Sequence, residues 1–111
     1  MDLAVSARVG ETQSVARVSG ELDLGTAGRL SDHLSMLLGA GSPRLVVDVA
    51  GVSFLDCAGL RVLLRAHSAC VARGGWLRLT DVPPSVRCVL RLTGTQALAA
   101  PLRPASRPSL N

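Results

Sequence analysis

The sequence has no tyrosine and no lysine, and Phe54 and Trp76 are its only aromatic residues. All twelve basic side chains are therefore arginine, dispersed along the chain rather than gathered in one run. A nucleic-acid binder needs a dense basic patch with rings on which bases can stack, so that class is not expected, and the net charge of +4 reads as solvated surface. Long apolar runs are missing too. Segments such as Leu45–Val49 (interrupted by Asp48) and Val62–Leu64 fall far short of the roughly 20 residues that cross a bilayer, so no membrane insertion is expected. Met1 is not followed by a basic start, an apolar stretch and a small-residue cleavage site, which argues against secretion and for the cytoplasm. Cys57, Cys70 and Cys88 are an odd number without C-x-x-C spacing, the usage of a reducing compartment rather than of a disulfide framework. His33 and His67 are too few and too poorly spaced for a structural zinc, and no cofactor is expected. Neither a G-x-S-x-G elbow nor a phosphate-cradling glycine loop occurs, so the sequence offers no enzyme.

What is present is a chain of 111 residues, 48% hydrophobic and 18% charged, in which leucine, valine and alanine must build the interior. One domain of this size buries about two-thirds of its unfolded surface and needs no staples. Leu3–Val9 and Ser14–Val18 alternate with a period of two around Gly10, the pattern of a hairpin-like strand pair. Gly20-Glu21-Leu22-Asp23 ends the second strand. A helix is expected from about Thr26, which can cap it, with Leu30, Leu34, Leu37 and Leu38 on one face. The run from Gly39 to Pro43 stops it. Arg44–Ala50 reads as a central strand covered on both faces, and Gly51–Asp56 as a loop.

A second helix starts near Cys57 or Ala58, with an apolar stripe of Leu60, Leu63, Leu64, His67, Cys70 and Val71 and with Arg61, Arg65 and Arg73 opposite. After Gly74-Gly75, Trp76–Thr80 is a fourth strand. Pro83-Pro84 opens a third helix whose buried face is Val86, Val89, Leu90 and Thr93, closed by Gly94. The chain therefore reads β-β-α-β-α-β-α: an α/β fold with a mixed β-sheet, one domain over residues 1–100 and a disordered Pro- and Arg-rich tail over 101–111.

Asp56 to Gly59 lie between a strand and a helix N-terminus, at the edge where open α/β sheets present their sites. On spacing alone, Asp56 is the cap of the second helix and Gly59 permits close packing of its first turn. Asp23 can cap the first helix in the same way. Asp48 reads as a hydrogen-bonding strand residue and His67 as a satisfied histidine at the core edge.

Phe54-Leu55-Asp56-Cys57-Ala58-Gly59-Leu60 resembles the signature of STAS domains, the anti-sigma factor antagonist family, whose loop reads aspartate, serine, serine or threonine, glycine, leucine. Val18-Ser19-Gly20-Glu21-Leu22-Asp23 resembles that family's second-strand signature, and the likeness covers about residues 5 to 100. The resemblance implies a non-enzymatic partner-switching protein that binds an ATP-binding anti-sigma factor kinase. Asp23, Asp56, Cys57, Ala58, Gly59, Leu60 and Arg61 would meet the partner. In the family the residue before the glycine is the phosphorylated one, and the added charge ejects the partner. Here that position is Ala58, which has no oxygen to accept a phosphoryl group, so no phosphorylation is expected there. Two other roles stay open: a regulatory STAS subunit on the ATPase of an ABC-type lipid transporter, and a redox-responsive variant acting through Cys57 at its helix N-terminus.

Overall fold

In the computed structural model, which describes residues 2–99, four strands and three helices follow in the anticipated order. They are β1 (Leu3–Arg8), β2 (Ser14–Leu22), α1 (Leu24–Ala40), β3 (Arg44–Leu55), α2 (Cys57–Ala72), β4 (Trp76–Thr80) and α3 (Pro84–Leu92), followed by a 3-10 turn at Gln96–Ala99. The tail expected over 101–111 lies outside the described residues. The strands lie side by side in the order β1-β2-β3-β4. β1 is antiparallel to β2, whereas β2, β3 and β4 are parallel. The antiparallel pair turns through Gly10, where a Cβ would stand 2.1 Å from the Gln13 carbonyl oxygen.

Two crossovers step the same way across the sheet, β2 to β3 through α1 and β3 to β4 through α2. Right-handed crossovers that advance in one direction put their helices on one face. Alternate strand residues point into that face: Ala16, Val18 and Leu22 of β2, Leu45, Val47 and Val49 of β3, Leu77 and Leu79 of β4. Leu30, Leu34 and Leu37 of α1, Leu60 and Leu63 of α2, and Val86 and Leu90 of α3 complete the same core. Each leucine buried to this degree contributes about 1.5–3 kcal/mol relative to an exposed one.

β3 does not end at Ala50. It runs to Leu55, so most of the expected Gly51–Asp56 loop is strand. β2 supplies the reason, because it continues alongside and pairs Ser19 with Gly51, Gly20 with Val52 and Leu22 with Leu55. The register slips between Arg17 and Ser19 and again between Gly20 and Glu21, each slip adding one residue to β3. These bulges turn Val52 and Leu55 inward, leaving only 3% and 5% of their surfaces exposed.

Nor is β3 covered on both faces. The core holds Leu45, Val47 and Val49 but not Val46, and the outward residues Arg8, Arg17, Arg44 and Ala50 are exposed. Val46 is buried by its place in mid-sheet, in register between Val15 and Arg78. The helices need smaller corrections. α1 starts at Leu24 with Asp23 as its cap, two residues before the expected Thr26. On α2, Val62 is buried and Val71 half-exposed, the reverse of the expected stripe at those positions. Thr93 is exposed and closes α3, its Oγ1 donating to the Val89 carbonyl at 2.7 Å.

Candidate functional site

β2 and β3 end level, with Leu22 beside Leu55, and each is followed by an aspartate and a helix. Two helix N-termini therefore stand side by side at the carboxyl edge of the parallel strands. The first turn of a helix leaves N–H groups without partners and carries the positive end of its dipole. Both corners answer that need with a carboxylate, in different ways.

At α1 the corner is closed. Asp23 Oδ1 accepts from the Thr26 N–H at 3.1 Å, and the Asp23 N–H donates to Thr26 Oγ1 at 3.0 Å. The Thr26 hydroxyl then donates to the Glu21 carbonyl at 2.7 Å. Both side chains are buried, so the capping box is consumed by the fold.

At α2 the corner is open. Asp56 Oδ1 accepts from the Ala58 and Gly59 N–H groups at 2.9 and 3.1 Å. The third helical residue is Gly59, with no side chain to reciprocate, and the Asp56 N–H donates instead to the Leu22 carbonyl of β2 at 3.1 Å. A Cβ on Gly59 would lie 2.4 Å from that same oxygen. The glycine thus lets α2 seat on the end of β2, and buried Leu60 anchors the turn behind it.

This arrangement sorts the seven residues expected to meet a partner. Six form the open corner and Asp23 lies in the closed one beside it. Gly59, Leu60 and Asp23 are buried, Asp56 and Ala58 are half-buried, and Cys57 and Arg61 are exposed. The tip that solvent sees is a thiol, a methyl group and a guanidinium on one turn of helix. Leu24 and Phe54, 82% and 48% exposed, flank the two corners in sequence and were not anticipated. The available signal was phase: Leu24 is out of step with the Leu30–Leu34–Leu37 stripe, and Phe54 alternates with inward Leu55. Of the nearby hydroxyls, Thr26 is locked in the capping box, and Ser53 Oγ lies 3.3 Å from Glu21 Oε2 on the outer side of the sheet.

The remaining candidates are structural. Asp48 pairs with Arg17 at 3.6 Å and accepts from the Ala50 N–H. Half-buried His67 accepts the Leu77 N–H at Nδ1, 3.2 Å away, and burial, helped by the Arg78 charge, holds its pKa below the ordinary value. Burial pushes the Cys70 thiol up. Among the described residues, no three His, Cys, Asp or Glu side chains gather as metal ligands, and no helix is long and apolar enough to cross a membrane.

Residues 4–107 match the family model of the STAS domain. The chain is 31% identical over 85 residues to the anti-sigma F factor antagonist of Paenibacillus polymyxa, an alignment spanning 72% of this chain and 69% of the relative. It superposes with a TM-score of 0.77 on an anti-sigma factor antagonist from Mycobacterium paratuberculosis at 26% identity, covering 88% of this chain and 83% of that one. On the anti-sigma factor antagonist SpoIIAA in its unphosphorylated form the TM-score is 0.76 at 22% identity, over 97% and 100% of the two chains, a likeness of fold.

Proposed function

The chain belongs to the STAS domain family, and on that premise we propose that it is a non-enzymatic anti-sigma factor antagonist docking through the tip of α2 onto an ATP-binding anti-sigma factor kinase. It holds permanently the state that a phosphorylatable relative has without its phosphate. The first turn of α2 carries this reading. Asp56, Gly59 and Leu60 build the tip the family signature describes, while the position before the glycine holds the Ala58 methyl group, half-buried and without an acceptor oxygen. A phosphate brings nearly two negative charges and would repel a matched docking surface. Without a hydroxyl at that position the partner has no means of reversing the contact from inside the complex.

The test is direct. The purified chain is titrated with an anti-sigma factor kinase from its own organism, with ATP present. A stable complex is expected, with no mass increase on this chain. Arg61→Glu, on the exposed side of the tip, should weaken it about tenfold or more. Ala58→Ser should gain the mass of one phosphoryl group and then dissociate. Failure of every such kinase to bind, or a phosphoryl group found on the unaltered chain, would overturn the reading.

A further inference from the structure

The outer face of the sheet collects arginines that lie far apart in the sequence. Register sets Arg8, Val15, Val46 and Arg78 in one row across all four strands, and Ser6, Arg17, Asp48 and Thr80 in the next. Arg44 pairs with Trp76 beside the first row. Two depressions of about 390 Å³ each lie along this face and share Ser6 and Arg17, forming one trough from Arg8 and Val15 to Ala50 and Gly51. The only carboxylate in the two rows, Asp48, is already engaged by Arg17 and by the Ala50 N–H. The Arg78 guanidinium stands 6.0 Å from the centre of the Trp76 ring.

We propose that this face is a second docking site, separate from the α2 tip, for an acidic amphipathic helix of another protein. The proposal does not rest on the kinase reading. Parallel strands are ordinarily covered on both faces, yet among the described residues the helices cover only one face of β2, β3 and β4. The layer that usually closes such a sheet is a helix. Arg8 and Arg78 sit on the outermost strands, three strand spacings or about 14 Å apart, with the two valines between them. A helix about 10–12 Å wide fits that gap, its apolar stripe over half-buried Val15 and the middle of the sheet and its carboxylates on both flanks reaching the arginines.

The chemistry disfavours other occupants. Residues 100–111 carry Arg103 and Arg107 and no Asp or Glu side chain, so their charge matches that of the face instead of opposing it. A nucleic acid would set phosphates over the valines and find only half-buried Trp76 to stack on. Anionic lipid headgroups would meet the same valines with charge alone.

Trp76 is the chain's single tryptophan, so its emission reports on this face and not on the α2 tip. The probe is a synthetic tryptophan-free helical peptide with leucines along one stripe and glutamates on both flanks, fluorescein-labelled and titrated against the full chain. A saturable change in Trp76 emission and in peptide anisotropy is expected, weakening as salt is raised. Arg8→Glu with Arg78→Glu should raise the dissociation constant about tenfold or more, while Arg61→Glu should leave it unchanged. Arg8→Gln alone, on an exposed strand position, should give a smaller loss in the same direction and serves if the double variant does not fold. Absence of peptide binding, binding indifferent to Arg8 and Arg78, or binding lost with Arg61→Glu would overturn the proposal. So would tighter capture of oligo(dT) or of phosphatidylserine vesicles than of the peptide, since the occupant would then be a nucleic acid or a membrane.

Discussion

The two corners at the ends of β2 and β3 begin from the same pair of residues, Leu-Asp, and diverge at the third helical position. In the first corner Thr26 returns the hydrogen bond of Asp23, and the pair closes on itself beneath the surface. In the second corner Gly59 returns nothing, and the Asp56 N–H is satisfied by a neighbouring strand. The third helical residue thus distinguishes a helix start sealed beneath the surface from one whose outward side chains meet solvent. The open corner is not loose structure: its cap, its glycine and its leucine are all packed, and only the outward side chains are free.

The difference between the two corners is most sensitive at Gly59. Gly59→Ala places a methyl group 2.4 Å from the Leu22 carbonyl oxygen and 2.8 Å from the Leu22 Cβ, backbone and side chain of a core strand. Urea denaturation should register a loss of about 2–3 kcal/mol, with partner binding at the tip lost as well. The closed corner should cost less. Asp23→Ala removes a buried cap and leaves the Thr26 N–H only its 3.1 Å bond to the Asp23 carbonyl, a loss of about 2 kcal/mol, whereas Asp56→Ala at the half-exposed corner should cost about 1 kcal/mol. Equal losses for the two aspartates would remove the distinction between closed and open.

Two smaller effects calibrate the background against which the corners differ. Gly28 lies on the exposed side of α1, where a Cβ would meet nothing within 4 Å. Gly28→Ala should therefore stabilise the fold by up to about 1 kcal/mol without touching the Asp23 corner, measured as a rise in Tm. At the far end of α2, His67 prefers its neutral form in the fold, because burial lowers its pKa and Nδ1 must accept the Leu77 N–H. Its contribution is whole above the ordinary pKa of 6.5 and is lost as pH falls through the lowered value. Urea melts between about pH 7 and pH 5 should show this decline, and His67→Gln should flatten it.

Much of the site was legible because its signals are local. Asp56 before an apolar-periodic run announces a cap, and Gly59 one turn on announces a close approach. What the chain alone does not state is which surface Gly59 approaches, since the Leu22 carbonyl is 37 positions away. The same holds for the expected loop at Gly51–Asp56. Gly51 and Ser53 look like loop residues until β2 is seen to run alongside and two bulges absorb the extra length. Thr26 has the residue type of a cap. Its actual place, as the reciprocal partner of Asp23, depends on where β2 stops. The exposure of a single apolar residue, as at Leu24 and Phe54, has no signature in composition, only in phase.

Local pattern by itself settled the order of strands and helices, the turn at Gly10 and the two aspartate corners, since each depends on residues within one helical turn or one strand of each other. Tertiary structure alone decided that Asp23 is sealed while the α2 tip stands open, and that Arg8, Arg17, Arg44 and Arg78 share one uncovered face. Strand register and the common direction of the two crossovers bring those four together, and both are properties of contacts between segments, which no short window of sequence contains.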